Sequence, residues 1–353
     1  MAQYTFGVEL EMLIRPNELT ESKLKPIGFF SNITRELNGD YDANREIVHK
    51  YLAFFLSHCR LPTIVRGAKV FEKQHENGNK DYSVWAVEHD PSVQESQGYY
   101  STELVSPIFK LGLQSHKWKD EIEKIWEIIK DSHSVGKHFS ASTHVHIRPA
   151  ALKFSIGEVK QLCKGFLIFD RIIRETLPPE SAAQGWCCNN AHKRDGDVER
   201  PEVGELIHPE LARHYDRDPT WPQCHRLVRW IDDRHVAWNL QPLLQSDKRQ
   251  TIEFRMGPPA LSSTDTRHWI AFTACFVHFC LEFDFENVAR SLGLARYRQQ
   301  SVLQCVKKIF VYRKFKNKLS ASAAALGLSD ELRMPEYLSE HVTLTGYDTD
   351  LDS

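Results

Sequence analysis

Apolar and polar residues alternate in several short segments of the chain, which is the pattern of half-buried β-strands. The segment 4–12 (YTFGVELEM) shows it most clearly, because every second residue is apolar and Glu9 and Glu11 lie on the opposite face. The same reasoning predicts further strands at 82–87, 101–105, 143–147, 236–240 and 251–256.

Helices are predicted between and after these strands. The segment 119–131 has an apolar stripe in which Ile122, Ile125 and Ile129 recur at helical spacing. Further helices are predicted at 43–57 and 156–175, with two or three more over 264–328. This order of elements, without an internal repeat, predicts an α+β fold in which helices pack on one face of a mostly antiparallel sheet.

No linker divides the chain before residue 260, so residues 1–260 are predicted to form one domain. Within it, the segment 178–222 is polar and rich in Pro, Gly and His, which predicts a long loop with a role in specificity. Residues 261–328 are predicted to be a helical part of the same domain. A loosely ordered acidic tail is expected over 329–353.

Composition and charge exclude several classes of protein. Of 353 residues, 41% are hydrophobic, and 45 basic side chains are balanced by 47 acidic ones, for a net charge of −2. Such a chain is expected to fold and not to bind nucleic acid. The longest apolar run, 269–281, is too short to span a bilayer and predicts a buried helix, so no membrane association is expected. The first residues do not resemble a secretory signal, which predicts a cytoplasmic location.

Three of the predicted strands place a pair of charged or metal-binding side chains on one face. The pairs, each two residues apart, are Glu9 and Glu11, His144 and His146, and Glu253 and Arg255. Any one pair is explained by a sheet face exposed to solvent. Together, carboxylates and imidazoles are suitable ligands for Mg²⁺ or Mn²⁺, and arginine is a forked donor to phosphoryl oxygens. We therefore expect a metal site beside a phosphate site.

A further set of acids follows the first of these strands. Glu103 belongs to the predicted strand 101–105, and Asp90 lies upstream of it, before Pro91. Asp90 is also explained as a turn residue, because Asp-Pro pairs favour turns. Glu88 competes with Asp90 for the same metal position, and the sequence leaves this choice open.

The order of four motifs resembles the amidoligase family, part of the glutamine synthetase and glutamate–cysteine ligase superfamily of carboxylate–amine ligases. The motifs are FGVELEM at 6–12, an acid before TELVSP at 102–107, STHVHI at 142–147, and TIEFR at 251–255, with Trp238-Asn239-Leu240 ahead of the last. The resemblance implies a curved, mostly antiparallel sheet with helices on its outer face. Its concave face would hold ATP and two or more Mg²⁺ or Mn²⁺ ions.

The resemblance also implies roles for individual residues. One ion would be held by Glu11, Asp90 and Glu103. Another would be held by Glu9, His144 and Glu253. Glu253 and Arg255 would act in catalysis, with Arg255 in contact with the transferred γ-phosphoryl group. The nucleotide or substrate side would be lined by His146, Arg148, Trp238 and Asn239.

The implied activity is the ATP-dependent formation of an amide bond between a carboxylic acid and an amine. A carboxylate does not react with an amine at neutral pH, because its leaving group is oxide. Phosphorylation by ATP to an acyl phosphate would supply a better leaving group, with metal ions and an arginine neutralising the phosphate charge. An amino acid or a short peptide is the expected kind of substrate, and the oligomeric state is left open.

Two other functions remain open on the sequence alone. The same scaffold would suit an ATP-dependent phosphotransferase that releases a phosphorylated product, or a non-catalytic protein that binds metal and nucleotide. The complete set of acidic, histidine and arginine residues argues against the second. No P-loop, dinucleotide-binding or nucleophile-elbow motif occurs in the sequence, which argues against the enzyme classes that use them.

Overall fold

The computed structural model describes residues 4–17, 41–66, 82–95, 98–112, 116–151, 153–175, 177, 236–244, 250–285 and 310–333. The predicted loop 178–222 and residues 334–353 of the predicted tail lie outside this set. Within it, nine strands form one sheet. In chain order they are Tyr4–Pro16 (β1), Thr63–Val65 (β2), Trp85–Glu88 (β3), Tyr100–Val105 (β4), Phe109–Leu111 (β5), His133–Gly136 (β6), Thr143–Pro149 (β7), Trp238–Asn239 (β8) and Ile252–Gly257 (β9).

Helices connect and flank these strands in the described part of the chain. They are Tyr41–His58 (α1), Lys117–Ser132 (α2), Ile156–Ile168 (α3), Asp170–Glu175 (α4), Ser263–Glu282 (α5) and Phe310–Leu326 (α6), with a short 3-10 helix at Gln241–Leu244. Two of them begin at serine caps. The Ser155 hydroxyl accepts a hydrogen bond from the Glu158 amide at 3.2 Å, and the Ser262 hydroxyl accepts one from the Asp265 amide at 3.1 Å.

The long strand β1 lies at the centre of the sheet, whose strand order is β2-β3-β4-β1-β7-β9-β8. One edge of β1 pairs with β5 near its start and with β4 further along. Its other edge pairs with β7 and then with β6. All pairs are antiparallel except β2 with β3, which is parallel. Since β1 is paired along both edges, its backbone is held more firmly than that of an edge strand.

Helices pack on the apolar face of the sheet, which positions the polar face for other uses. Aromatic rings make the contacts: Phe6 of β1 meets Trp118 of α2 edge-on at 5.4 Å, and Phe254 of β9 stacks on Trp269 of α5 at 6.0 Å. A side chain and its neighbour along a strand point to opposite faces, so the acids between these aromatics face away from the helices. The predicted α+β fold with a mostly antiparallel sheet is confirmed.

Several element boundaries differ from the sequence prediction. The predicted helix 156–175 is two helices, because the chain leaves helical geometry at Phe169, whose ring packs against Phe279 at 5.0 Å and Phe315 at 5.2 Å. Strands β2, β5 and β6, which have three or four residues each, were not predicted. The apolar run 269–281 lies in the largely buried helix α5, as predicted. Among the described residues, no helix has the length and hydrophobicity required to cross a membrane.

Candidate functional site

Polar side chains of neighbouring strands lie in rows across the face of the sheet that the described helices leave uncovered. Directly opposite residues of an antiparallel pair project to the same face, and so do residues two apart on one strand. The strand register therefore brings three rows together: Glu103 with Glu11, Glu9 with His144, and His146 with Glu253 and Asn239. Three of the predicted motifs and part of the fourth thus converge on one surface.

Glu9 lies between the two histidines of β7. Its Oε2 is 3.3 Å from Nδ1 of His144, and its Oε1 is 3.2 Å from Nε2 of His146. Burial disfavours the charged form, but the attraction of His146 and hydrogen bonds from both histidines outweigh it, so the pKa of Glu9 lies well below its ordinary value. Glu9 is therefore a carboxylate at neutral pH.

Glu253 is buried and is held on both of its oxygens. Oε2 accepts a hydrogen bond from Nδ2 of Asn239 at 2.6 Å, and Oε1 accepts one from Nη1 of Arg255 at 2.5 Å. The same Oε1 lies 3.5 Å from Nδ1 of His144 and 3.8 Å from Nε2 of His146. Burial lowers the pKa of His146, but the charges of Glu9 and Glu253 prevail and raise it above the usual value.

Three acids crowd together at the other end of the site. Oxygen atoms of Glu11, Asp90 and Glu103 lie within 4.8 Å of one another. Burial, opposed by the nearby His144 and aided by the charge of Asp90, raises the pKa of Glu11 to about 7. Burial raises the pKa of Glu103 well above its ordinary value, and the charges of Glu9 and three further acids act in the same direction. The raised pKa values of Glu11 and Glu103 reflect a concentration of negative charge that a cation would relieve.

The donor set fits a divalent cation in chemistry as well as in charge. Carboxylate oxygens and imidazole nitrogens suit Mg²⁺ and Mn²⁺. Three groups have ligand atoms within 4.8 Å of one another: Glu11, Asp90 and Glu103; Glu9, Glu103 and His144; and Glu9, His146 and Glu253. The first group is the set expected from the resemblance. The expected set of Glu9, His144 and Glu253 differs from the other two groups, where Glu103 or His146 completes the cluster.

The sequence left open whether Asp90 or Glu88 belongs to the metal position upstream of Glu103. In the structure the two acids have different partners. Glu88 forms an ion pair with Arg66, whereas Asp90 belongs to the acidic group around Glu11. A turn fixes Asp90, since its side chain accepts a hydrogen bond from the Ser92 amide at 2.7 Å and its carbonyl accepts one from the Ser101 hydroxyl. Burial opposes ionisation of Asp90, but its bonds to Glu11 and Ser92 keep its pKa below the ordinary value.

The two predicted nucleotide-side residues of β8, Trp238 and Asn239, lie on opposite faces of the sheet. Trp238 is fully buried on the helix face of the sheet, where its ring stacks on Phe166 at 4.5 Å, so its expected place at the nucleotide side is wrong. Asn239 is on the site face, but it is buried and donates to Glu253. Its carbonyl oxygen accepts a hydrogen bond from the Gln241 amide at 2.9 Å, which fixes the orientation of its amide group.

Arg148 lies on the site face, two residues beyond His146 on β7 and opposite Thr5 of β1. It is half-buried. The face thus changes along β1 from acids near Glu11 to a cation near Thr5.

Two hydroxyl residues contact the site histidines without having been predicted from the sequence. The Ser142 hydroxyl bonds to Glu11 and lies 2.6 Å from Nε2 of His144. The Thr251 hydroxyl lies 3.0 Å from Nδ1 of His146. Each is the first residue of one of the motifs, STHVHI and TIEFR, but a serine or threonine just before a strand gives no signal that separates a site contact from an ordinary surface position.

Comparison with known proteins gives one finding that bears on this site. The model of the family described as "Putative amidoligase enzyme" matches residues 2–277, which contain all of the residues named above at the site. A search of curated proteins gives no match.

Proposed function

Because this chain belongs to the family of putative amidoligase enzymes, we propose that it is an ATP-dependent ligase joining a carboxylic acid to an amine. The family makes it a ligase that forms amide bonds. The use of ATP and divalent metal is our extension, and one observation carries it. Three adjoining groups of carboxylates, two of which include a histidine, meet at one face of the sheet, with Arg255 beside Glu253.

The metal ions would be held by the acidic group of Glu11, Asp90 and Glu103 and by the groups that share Glu9. When bound, they would supply positive charge to the phosphate oxygens of ATP and to the charge that develops during phosphoryl transfer. The protein contributes a preorganised set of ligands on rigid strands. Since four of these acids and histidines are paired in register across β1, their spacing is set by the backbone.

The reaction needs two balanced steps. In the first, a carboxylate oxygen of the acid forms a bond to the γ-phosphorus of ATP as the bond to the ADP oxygen breaks, and an acyl phosphate and ADP result. In the second, the amine nitrogen bonds to the acyl carbon, phosphate leaves with the electrons of the C–O bond, and the nitrogen loses a proton. Amide, ADP and phosphate are the products.

Among the described residues, Arg255 is the best placed to support the first step. Its guanidinium offers several donors, and the one at Nη1 is occupied by Glu253. That contact, together with the Asn239 bond to the same carboxylate, fixes the direction of the guanidinium plane. A fixed forked donor stabilises phosphoryl charge without having to reorganise during the reaction.

The test is a pooled screen of acids and amines with ATP and Mg²⁺, followed by measurement of ADP and mass spectrometry of the products. We expect metal-dependent ADP release together with a new amide. With hydroxylamine as the amine, an accepted acid should yield a hydroxamate. A stable phosphorylated product would instead favour a phosphotransferase, and an accepted acid that gives ADP but no hydroxamate would contradict the acyl phosphate.

A further inference from the structure

Ser101 of β4 is held by side chains at a point where the neighbouring strand has ended. Strand β3 pairs with β4 as far as Glu88, opposite Glu103. Two residues before Glu103, the Ser101 amide donates a hydrogen bond to Oε1 of Glu95 at 3.0 Å, and its carbonyl accepts one from Nε2 of His49 at 2.9 Å. Because Ser101 is fully buried, these side chains replace the backbone partners that a longer β3 would have supplied.

The Asp90 turn, residues 90–95, bonds to Ser101 at both of its ends. The Asp90 carbonyl accepts a hydrogen bond from the Ser101 hydroxyl, and the Glu95 carboxylate accepts one from the Ser101 amide. The turn is thereby closed against β4, the strand that also carries Glu103. Ser101 thus sets the position of the Asp90 backbone relative to Glu103, which belongs to the same acidic ligand group.

Helix α1, which carries none of the candidate ligands, completes this arrangement through Arg45. Nη1 of Arg45 donates to Oε1 of Glu95 at 3.0 Å, the same oxygen that accepts the Ser101 amide, and Nη2 pairs with Asp42. The side chains of Arg45 and Glu95 are 13% and 17% exposed, so their ion pair is screened less than one on the open surface. The direction of each bond is fixed, because guanidinium and amide nitrogens can only donate and a backbone carbonyl can only accept.

We propose that Arg45 is a positioning residue for Asp90. It holds the Glu95 carboxylate on the Ser101 amide, and this keeps the Asp90 turn in place beside the ligand acids of β1 and β4. The inference rests on the metal component of the proposed function and on none of its amide chemistry. A positive charge near the acids repels a cation, so on charge alone the loss of Arg45 would strengthen metal binding. Loss of a positioning contact weakens it, so the two effects differ in sign.

The first test is a Mn²⁺ titration with no substrate present. Arg45→Met should weaken Mn²⁺ binding by about 10-fold, the lower end of the usual effect of removing an outer contact of a metal ligand. Arg45→Lys keeps the charge but not the fork that joins Asp42 to Glu95, so it should show a smaller loss in the same direction. Unchanged or tighter binding in Arg45→Met would overturn the proposal. If that variant does not fold, unchanged binding in Arg45→Lys would do so.

A double-variant cycle tests whether the effect of Arg45 passes through Asp90. Asp90→Asn removes the charge of the ligand and should itself weaken Mn²⁺ binding. Once that carboxylate is lost, its position no longer matters. Arg45→Met added to Asp90→Asn should therefore leave the Mn²⁺ affinity within about 2-fold, the usual scatter of such cycles. Additive losses would show that Arg45 acts on metal binding by another route, and would overturn the proposal.

The matched control is Lys119→Met, which removes an ion pair of similar burial on α2. Nζ of Lys119 lies 2.5 Å from Oε1 of Glu331, and the two side chains are 18% and 8% exposed. Its loss should lower the Tm but leave the Mn²⁺ affinity unchanged. A fall in Mn²⁺ affinity equal to that of Arg45→Met would mean that general destabilisation weakens metal binding, and the proposal would fall.

The outcomes separate this inference from the proposed function. If wild-type protein binds no Mn²⁺, the inference and the metal component of the proposed function fall together. If it binds Mn²⁺ and the cycle shows the expected coupling, but no amide forms, only the proposed function fails. If an amide forms with metal while the losses in the cycle are additive, only the inference fails.

Discussion

Glu11 and Glu103 lie directly opposite each other on β1 and β4, and with Asp90 they form a cluster of three acids whose oxygens are within 4.8 Å. Acids this close in a buried setting repel one another when ionised. The cluster therefore costs free energy at neutral pH unless protons or a cation compensate its charge. Two predictions follow from this relationship, one on metal and one on pH.

Mg²⁺ or Mn²⁺ should raise the Tm of the protein. A ligand that binds only the folded state at 100 times its Kd adds about 2.7 kcal/mol to the free energy of unfolding. Scanning calorimetry with MgCl₂, against NaCl of equal ionic strength, measures the effect. Glu103→Gln should lose most of the increase, and Glu46→Gln, at a half-buried position of α1 where Glu46 pairs with Lys50, should keep it. Equal Tm values in the two salts would contradict the prediction.

Ionisation of Glu11 should destabilise the metal-free protein as the pH rises from about 4.5 to 7. Because the pKa of Glu11 is raised from 4.5 to about 7 by folding, this group binds more protons in the folded state than in the unfolded state in this window. Its contribution to the free energy of unfolding therefore falls with increasing pH, by about 3 kcal/mol over the window. Buried histidines such as His133, whose pKa is lowered to about 3, act in the opposite direction, so the quantity to measure is the difference between wild type and Glu11→Gln. That difference should change by about 3 kcal/mol across the window in urea unfolding with EDTA. A wild-type profile in the variant would argue against the raised pKa.

Glu253→Gln should abolish metal-dependent ADP formation while leaving the fold intact. The substitution removes the charge that holds Arg255 and accepts from Asn239, and it removes one carboxylate from the group with Glu9 and His146. We expect a loss of at least about 100-fold in turnover, the scale of removing one preorganised electrostatic contact. Circular dichroism checks the fold, and Glu46→Gln is again the control. Full activity in Glu253→Gln would contradict both its metal and its catalytic role.

Arg255→Lys should separate metal binding from chemistry. Lysine keeps the charge but offers no planar fork, so it cannot bond Glu253 and a phosphoryl group in the same geometry. Turnover should fall by about 100- to 1000-fold, while Mn²⁺ affinity should change much less because Arg255 is no metal ligand. Steady-state ADP formation and a Mn²⁺ titration provide the two readouts. A parallel loss of both would place Arg255 in metal binding instead.

Gly165→Ala should destabilise the packing of α3 on α5. A Cβ at this position would lie 2.2 Å from Sγ of Cys280, a distance that no side chain tolerates. We expect a loss of about 1–3 kcal/mol in urea unfolding, the usual cost of overpacking a core. The double variant Gly165→Ala/Cys280→Ala removes this shortest contact, leaves the Cβ of residue 280 at 3.1 Å, and should recover much of that loss. Additive effects of the two substitutions would show that the helices do not meet as described.

The faces of the site strands could be predicted from the sequence because the spacing of two along a strand is local. Glu9 and Glu11, and likewise His144 and His146, occupy the face that the alternation assigns to them. Their partners across the sheet could not be predicted in the same way. The contact of Glu11 with Glu103 depends on which strands pair and in which register, and these are set by packing of the whole domain.

For Trp238, the resemblance implied a place at the nucleotide side, whereas the alternation of apolar residues along the chain implied a buried one. Val236, Trp238 and Leu240 alternate with Ala237 and Asn239, so Trp238 shares the phase of apolar neighbours. All of these apolar side chains are buried, and the Trp238 ring also packs on Phe254 of the next strand. The alternation, followed strictly, predicts its position in the core.

Asp90 fits both interpretations of the sequence, a turn residue and a member of an acidic group. It is a turn residue, as its bond to the Ser92 amide shows, and it also belongs to the acidic group around Glu11. A local pattern can identify the turn. It cannot show that the turn ends beside β1, because that position depends on contacts such as Val93 with Leu13 and Ala141.

The central position of β1 has a consequence for how the site can move. Amide protons of a strand paired along both edges exchange with solvent only through large-scale opening of the domain. Glu9 and Glu11 therefore belong to one of the segments best protected from hydrogen exchange. Of the acids in the three ligand groups, Asp90 alone lies in a turn and not in a strand. The strands therefore hold the other carboxylates in fixed positions. Any adjustment of the ligand groups to a bound ion occurs at the Asp90 turn, by movement of this one carboxylate toward or away from the sheet.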